Sequence, residues 1–277
     1  MQAGGRGYGG DDRRRIRGVR RQCTVTGLSL VEGPVVAYRV ARASYGPLDP
    51  PRRQPDTDPA GWSRFDAPGR TIYAAEDEAA AFIEALSWAR QDVAEHRKTL
   101  AKTAAFLGIP VQELTESIEE EWLRNSSMAP SWVPTVWRQG RRIYRLTFEH
   151  GSWVDITHSD TLHALSTALK TDLEMLGVPL GLTLSEVTSA NRLLTTRIAT
   201  WLREKVTLDN GTQPAGIRFQ TKHGRIGAGQ GLCWAYWMRR RDAGLTDERV
   251  TADAGRPFES NYPPYMKALE FHNISSR

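Results

Sequence analysis

The stretch of sequence that decides the fold is residues 69–86, GRTIYAAEDEAAAFIEAL, because it predicts a strand that leads directly into a helix. The segment Arg70–Ala75 contains Thr, Ile and Tyr, which favour strands. Three acidic residues, 76–78, follow it, and acids favour the first turn of a helix, where they face the positive end of the helix dipole. The sequence therefore predicts a strand over 70–75 and a helix that continues to Arg90.

Glu84 is the exceptional residue of this predicted helix. Its neighbours, in AAAFIEALSWA, are almost all apolar, and a helix without a polar face is usually buried. Burying a lone carboxylate costs free energy unless the carboxylate has a partner or a task. Glu84 is therefore a candidate site residue. The alternatives are that it reaches solvent through a gap or pairs with an arginine for purely structural reasons.

Outward from this stretch, the chain divides into strands and helical insertions. The predicted strands are 35–40, 142–148, 154–157 and 215–221, and the apolar run LCWAYWM follows at 232–238. Residues 44–68 are dense in Pro, Asp, Gly and Arg and predict a long loop. Helical insertions are predicted near 91–130 and near 159–206. Strands separated by helical insertions predict one α+β domain with a mixed sheet over 23–277.

The charge of the chain is concentrated at its start. The 277 residues include 37 Lys and Arg and 32 Asp and Glu, for a net charge of +5. Residues 1–22 contain seven arginines and two aspartates, which accounts for the whole excess and leaves the rest neutral. This Gly- and Arg-rich composition predicts a disordered basic arm over 1–22. The arm is either a weak anchor for nucleic acid or a membrane surface, or an unfolded start without a role.

The composition excludes several classes of protein. Hydrophobic residues make up 40% and charged residues 25% of the chain, both ordinary for a globular protein. Two cysteines, Cys23 and Cys233, are too few for a disulfide-stapled secreted domain, and Cys233 lies in an apolar run that predicts burial. No apolar run approaches the roughly 18 residues of a membrane span, and no secretory signal is visible. We expect a cytoplasmic protein without membrane contact.

Some clusters of polar residues imitate functional motifs. Asp155, His158, Asp160 and His163 match neither HExxH nor a Cys/His zinc pattern, so they predict a capped helix start and no metal site. The glycines of 227–231 lack the strand–GxGxxG–helix setting of a phosphate-binding loop and predict a turn. His223, beside them, is interpreted as a loop histidine.

Two arginines stand in contexts that suggest a role. Arg39 lies in the predicted strand between Tyr38 and Val40, and Arg64 lies in the segment WSRF at 62–65. A guanidinium group binds carboxylate or phosphate with a planar fork of donors. The two residues are therefore candidates for holding an anion, and the alternative is a pair of structural salt bridges.

Taken together, these segments resemble the RES-domain family, which is named for its Arg, Glu and Ser positions. The matching pieces, in order, are YRV at 38–40, SRF at 63–65, GRTIYAA at 69–75, AAAFIEAL at 79–86, GIRFQT at 216–221 and CWA at 233–235. The segments 142–148 and 154–157 also look like the centre of the family. The resemblance covers about residues 33–240, with larger helical insertions than are usual.

The resemblance implies a compact α+β fold related to ADP-ribosyltransferases. It also implies an enzyme that uses NAD as substrate and cleaves its nicotinamide N-glycosidic bond by hydrolysis, phosphorolysis or ADP-ribosyl transfer. Members of the family are typically bacterial toxins of toxin–antitoxin pairs, so the resemblance implies a cognate antitoxin protein as a partner.

The resemblance also assigns roles by position. Arg39 and Arg64 would hold the NAD diphosphate or the nearby ribose, and Tyr73 would pack on the nicotinamide side. Glu84 would sit by the nicotinamide ribose, so that Glu84 and Arg39 are the implied catalytic residues. Thr221 falls where the family has its serine, which keeps a hydroxyl group and adds a methyl group.

Two other functions stay open. The first is a nucleic-acid-binding regulator that uses the basic arm and residues 98–114, which imitate a helix-turn-helix with Gly108 in the turn. The helix predicted after that turn, 116–122, carries four glutamates, which would repel phosphates. The second is an inactive RES-like module kept for partner binding, which the change from serine to Thr221 leaves open.

Overall fold

The computed structural model describes residues 18–90, 93–125, 132–224 and 229–276. The strands within these ranges are β1 (Val19–Gln22), β2 (Ser29–Arg42), β3 (Thr71–Ala75), β4 (Trp132–Val133), β5 (Arg141–Asp155), β6 (Gly216–Gln220), β7 (Leu232–Trp237), β8 (Val250–Ala252) and β9 (Ser275–Ser276). The helices are α1 (Glu78–Leu86), α2 (Val93–Leu107), α3 (Val111–Asn125), α4 (Thr135–Gln139), α5 (Ser159–Ala168), α6 (Lys170–Met175), α7 (Leu184–Thr188), α8 (Arg192–Glu204), α9 (Arg239–Asp242) and α10 (Pro263–His272). The chain is therefore α+β, as predicted.

Seven of these strands form one mixed sheet. Its order is β1-β2-β3-β7-β6-β5-β8, and β2 also pairs with β5. The strands β2, β3, β7, β6 and β5 are therefore hydrogen-bonded in a closed ring. The pair β5 and β6 is parallel and the other neighbours are antiparallel. The pairing within the ring is shortest between β2 and β3, where Tyr38 and Ala75 form the only pair among the described residues.

The central strand β5 differs from its prediction. The predicted strand 142–148 and the first two residues of the predicted strand 154–157 belong to one strand, Arg141–Asp155, together with residues 149–153 between them. The partner strand explains the continuity, because β2 pairs with both halves of β5 around a bulge between Gly33 and Val35. Strand β2 is likewise longer than the predicted 35–40. Long-range pairing has overridden weak local strand propensity here.

The predicted boundary of the basic arm at residue 22 is wrong. Residues Val19–Gln22 form β1, which pairs antiparallel with β2. Arg21 forms ion pairs with Glu32 at 2.6 Å and with Asp209 at 2.8 Å. Two arginines that were counted in the arm therefore belong to the folded body. The remainder of the predicted arm, residues 1–17, lies outside the described residues.

The helical insertions and the long loop agree with prediction. Helices α2 and α3 occupy the first insertion, and α5 to α8 occupy the second. The loop 44–68 contains a single 3₁₀ turn, Pro59–Gly61, and no strand. His158 accepts a hydrogen bond from the Asp160 backbone N–H at 3.3 Å and caps α5, which confirms the predicted capped helix start.

Two hydrophobic clusters cover the two faces of the sheet. In β7, Cys233, Ala235 and Trp237 belong to the cluster that packs against the helices. The alternating residues of the same strand, including Trp234 and Tyr236, belong to a second cluster with residues of β2, β3, β5 and β8. All six residues of β7 are buried because both of its faces are covered.

Helix α1 is held in place by its cap and by a C-terminal helix that the sequence analysis does not predict. The Asp77 carboxylate accepts a hydrogen bond from the Ala80 backbone N–H at 2.8 Å at the start of α1. Phe82 packs edge-on against Tyr265 of α10 with ring centroids 5.5 Å apart. The helix ends at Leu86, four residues before the predicted end, and a 3₁₀ turn over 87–89 follows it.

Candidate functional site

A cavity of about 340 Å³ lies where β2 and β3 are joined by a single residue pair. Four of the five predicted site residues line it: Arg39, Arg64, Tyr73 and Glu84. The other described lining residues are Tyr38, Val40, Trp62, Ser63, Ala74, Ala75, Ala81, Ala85, Ser87, Arg192, Phe219, Lys222 and Cys233. Residues separated by long stretches of sequence are thus brought to one place.

Glu84 is half-buried on α1, and Thr221 fixes its carboxylate. The helix buries the neighbouring Phe82 and Ile83 in the core, whereas Glu84 lines the cavity. The hydroxyl group of Thr221 donates a hydrogen bond to Oε1 of Glu84. Thr221 is 4% exposed and does not itself line the cavity, so it contacts the site only through Glu84. The sequence left open a structural ion pair between Glu84 and an arginine. No such ion pair is seen among the described residues.

Arg39 projects from β2 into the narrow junction with β3. Its Nη1 donates a hydrogen bond to the carbonyl oxygen of Tyr73 at 3.0 Å. Its Nε is buried without a hydrogen-bond partner among the described residues. Burial lowers the pKa of Arg39 to about 10, and the nearby Tyr73 and Asp66 partly oppose this shift. Arg39 is thus a buried cation that forms part of the cavity wall.

Arg64 lies on the loop that precedes β3. Its guanidinium carbon lies 5.8 Å from the ring centroid of Phe65, and its Nε is buried without a partner in the described part of the chain. Burial lowers the pKa of Arg64, the charge of Glu84 opposes this effect, and the charge of Arg192 adds to it. The side chain therefore lies within electrostatic reach of both a carboxylate and a second arginine.

Tyr73 lines the cavity with its ring while its hydroxyl group is engaged elsewhere. The hydroxyl donates to Oδ1 of Asp66 at 2.9 Å and accepts from the Phe65 backbone N–H at 3.0 Å. Burial, together with the charge of Asp66, raises the pKa of Tyr73 well above its ordinary value. The hydroxyl therefore joins β3 to the two residues that follow Arg64.

Asp66 is not among the described lining residues, but it holds the loop that carries Arg64, and the sequence did not predict this role. It is 3% exposed, and its Oδ2 accepts hydrogen bonds from Arg53 Nε at 2.8 Å and from the Ser63 backbone N–H at 2.9 Å. Together with the bond to Tyr73, these bonds hold the chain both before and after Arg64. The signal available beforehand was an aspartate three residues after a serine in a turn-rich segment.

Arg192 and Lys222 were also missed. Arg192 is the first residue of α8, and Lys222 follows Thr221 directly. The Nη1 of Arg192 is buried and has no hydrogen-bond partner within the described ranges. No local pattern marks Arg192, whereas Lys222 could have been found as the sequence neighbour of a predicted site residue.

The cavity is electrostatically unbalanced. Its described lining contains three arginines and one lysine but a single carboxylate, that of Glu84. Three buried guanidinium nitrogens, one each on Arg39, Arg64 and Arg192, have no hydrogen-bond partner among the residues that the structure describes. Buried polar groups are normally paired, so such donors indicate a site that accepts an anionic ligand.

Cys233 lines the cavity, and His223 follows the lining residue Lys222 in sequence. Cys233 is 2% exposed, as predicted, and burial raises its pKa well above the ordinary value, so its thiol stays protonated. His223 is half-buried, and burial together with the charge of His272 lowers its pKa to about 4. It is therefore neutral near pH 7.

A second and larger cavity, of about 470 Å³, contains none of the predicted site residues. Its described lining includes three glutamates and three arginines, so the formal charges of these residues balance: Glu32, Glu149, Glu248, Arg239, Arg240 and Arg249. The smaller cavity is the better candidate, because its described lining has an excess of positive charge and includes four of the predicted site residues.

A solved structure is similar to this chain over most of its length. No family model matches the chain, and no curated protein matches it. A solved structure that is similar is the crystal structure of the M. tuberculosis MbcT–MbcA toxin–antitoxin complex. The identity is 11% and the TM-score is 0.38, over 88% of this chain and 92% of that chain.

The described residues meet the requirements of neither a metal site nor a membrane-spanning helix. Among the described residues, no three His, Cys, Asp or Glu side chains are grouped so as to hold a metal ion. Nor does any helix in the described ranges have the length and apolar character needed to cross a bilayer.

The helix-turn-helix-like segment forms α2 and α3, which contact each other, and α3 exposes Glu113, Glu116, Glu119, Glu120 and Glu121. These acids make α3 unsuited to contact nucleic acid phosphates.

Proposed function

We propose that the protein is an NAD-consuming enzyme that cleaves the bond between nicotinamide and ribose. The observation that carries the proposal is the placement of Glu84, a half-buried carboxylate held by Thr221, in a cavity that is otherwise cationic. The resemblance of the ordered sequence segments to the RES-domain family supports the same reaction.

Cleavage of the nicotinamide–ribose bond requires that positive charge on the ribose carbon be stabilised, and Glu84 can supply this stabilisation. The C–N bond breaks, its electron pair leaves with nicotinamide, and the ribose carbon develops positive charge, as in glycoside hydrolysis. A fixed carboxylate beside that carbon stabilises the charge, most strongly where water is excluded. Nicotinamide departs as a neutral molecule, so the step requires no general acid. With water as the acceptor, its oxygen bonds to the ribose carbon and one proton is released.

The cations of the cavity suit the rest of the substrate. The diphosphate of NAD is anionic, and guanidinium groups bind phosphate oxygens with two parallel hydrogen bonds. Arg64 lies within electrostatic reach of Glu84 and its buried Nε makes no hydrogen bond to the described residues, whereas Nη1 of Arg39 is engaged with the Tyr73 carbonyl. We propose that Arg64 binds the diphosphate. Arg39 forms part of the pocket wall, from which its positive charge attracts the anionic substrate.

The resemblance to the RES-domain family extends the proposal to biology. We propose that the protein acts as the toxin of a toxin–antitoxin pair and that a cognate antitoxin protein blocks it. Expression of the chain should then arrest bacterial growth and lower cellular NAD, and co-expression of the antitoxin should restore both. Growth arrest without NAD loss would contradict the proposed activity.

The direct test is an NAD assay with purified protein. Wild type should release nicotinamide, and Glu84→Gln should lower the rate on the order of 10²–10³-fold, because the amide keeps the shape and loses the charge. The matched control is Glu174→Gln, on an exposed position of α6, which should keep the wild-type rate. If wild type leaves NAD intact with water, phosphate and protein acceptors all present, the proposal is wrong.

A further inference from the structure

Two cations of the cavity stand outside the segments that resemble the RES-domain family. Arg192 comes from the second helical insertion, as the first residue of α8, and Lys222 comes from the end of β6. Independent elements therefore place two additional positive charges beside Arg64 and Glu84. Each charge must be brought there against the repulsion of the others.

Burial and the mutual repulsion of these cations lower the pKa of Lys222 and of Arg64. Burial lowers the pKa of Lys222, and the charges of Arg64 and Arg192 lower it further, against the opposing effect of Glu84. Arg64 is affected by Arg192 in the same direction. The three cations thus lie close enough to destabilise one another, and one carboxylate does not neutralise them.

The donors of this group are also unused. Nη1 of Arg192 and Nε of Arg64 are buried and have no hydrogen-bond partner among the residues that the structure describes. Leaving a buried donor unpaired costs about 1–3 kcal/mol. A ligand that presents several acceptor oxygens and two negative charges would satisfy these donors and remove the repulsion.

We propose that Arg192 and Lys222, together with Arg64, form an anion subsite for the diphosphate of a nucleoside diphosphate. The inference rests on the proposed function, because it identifies which residues bind the diphosphate portion of that substrate. The planar fork of Arg192 gives directional contacts with phosphate oxygens, and Lys222 contributes a mobile point charge. The donors of Arg192 and Arg64 come from separate elements, and a diphosphate presents acceptor oxygens on two phosphate groups, so the subsite prefers a diphosphate to a single phosphate.

The test uses ADP, which carries the diphosphate but has no nicotinamide bond to cleave. Calorimetric titration of the full chain should show that ADP binds more tightly than AMP. Arg192→Met should weaken ADP binding about 10- to 100-fold, because a hydrogen bond to a charged group contributes about 1.5–3 kcal/mol. Lys222→Met should weaken it less. Arg192→Lys, which keeps the charge and loses the fork, should fall between wild type and Arg192→Met.

The control is Arg197→Met, on the same helix. Arg197 is exposed and pairs with Asp172 at 3.5 Å, away from the cavity lining, so its removal should leave ADP binding unchanged. Failure of wild type to bind ADP, or equal ADP affinity in wild type and Arg192→Met, would overturn the subsite. Because ADP binding needs no cleavage, an NAD assay that fails while ADP binding follows this pattern would reject only the proposed reaction.

Discussion

The hydroxyl group of Thr221 donates a hydrogen bond to the carboxylate of Glu84, across 137 positions of sequence. The same hydroxyl oxygen accepts a hydrogen bond from the His223 backbone N–H at 3.2 Å. The carboxylate is therefore oriented by a residue whose own position is fixed by the backbone after β6. The methyl group that threonine adds to serine does not prevent this contact.

We expect Thr221→Val to lower kcat for NAD cleavage about tenfold and to change KM little. Valine has the shape of threonine but no hydroxyl, so Glu84 loses the donor that orients it, and a hydrogen bond to a charged group contributes about 1.5–3 kcal/mol. Steady-state kinetics on purified protein give the two constants separately.

The matched variant is Thr221→Ser, which keeps the hydroxyl and restores the residue that the RES-domain family has. It should retain a kcat close to that of wild type. A wild-type kcat in the valine variant would contradict the role given to the hydrogen bond, and a loss in the serine variant as large as in the valine variant would show that the hydroxyl group alone does not orient Glu84.

Asp66→Asn should loosen the loop that carries Arg64. The asparagine cannot accept in the same way from Arg53, Ser63 and Tyr73, so we expect the free energy of unfolding to fall by about 2 kcal/mol. The KM for NAD should rise more than kcat falls, because the loop positions a substrate-binding residue. Urea unfolding and steady-state kinetics measure both effects.

Two comparisons make this prediction specific. Tyr73→Phe removes only the hydroxyl that bridges Phe65 and Asp66, so its effect should be smaller, about 1 kcal/mol. Asp56→Asn changes an exposed carboxylate of the same loop and should have no effect. A KM that stays at the wild-type value in Asp66→Asn would contradict the role given to Asp66.

Gly69→Ala should destabilise the fold by more than about 3 kcal/mol. Gly69 has a φ of 108°, and a Cβ atom there would overlap Arg203 and Asp242, whose side chains form a buried ion pair. Gly46→Ala is the control, because Gly46 has a φ of 70° but open space around it, so only backbone strain of about 1 kcal/mol is expected. Urea unfolding of both variants measures the difference, and equal losses would show that the overlap is relieved without disturbing the ion pair.

The free energy of unfolding should fall as the pH falls from about 6.5 to about 4, in part because of His223. Its folded pKa is about 4, below the ordinary value near 6.5. Between these values the unfolded chain binds a proton that the folded chain does not, so stability is full above pH 6.5 and is lost on acidification.

Urea unfolding at pH 7 and at pH 5 tests this prediction. His223→Phe keeps a ring against Phe271 and His272 and should lose less stability between the two pH values than wild type does. His163→Phe, at an exposed position, should keep the wild-type dependence. An unchanged dependence in His223→Phe would assign the effect to other groups.

Much of the architecture could be predicted because its signals are local. The strand and helix of 69–86, the loop 44–68 and the helical insertions follow from residue periodicity and from turn-forming residues, which act over a few positions. Glu84 could be singled out because one carboxylate in an apolar helix is a local anomaly. The placement of Arg39, Arg64, Tyr73 and Glu84 around one cavity agrees with the predicted set, and their roles stay predictions.

The sequence by itself therefore determined the α+β class, the strand and helix of 69–86, the positions of the helical insertions and the candidate residues of the site. Tertiary structure alone decided that β1 belongs to the sheet, that β5 is continuous and that α10 covers α1. It also decided that Asp66 bonds the backbone of Ser63, next to Arg64, and that Arg192 and Lys222 line the same cavity as Arg64. The physical reason is that strand pairing and the mutual approach of charges depend on distances in space between residues far apart in the chain, whereas periodicity and turn propensity depend on neighbours along it.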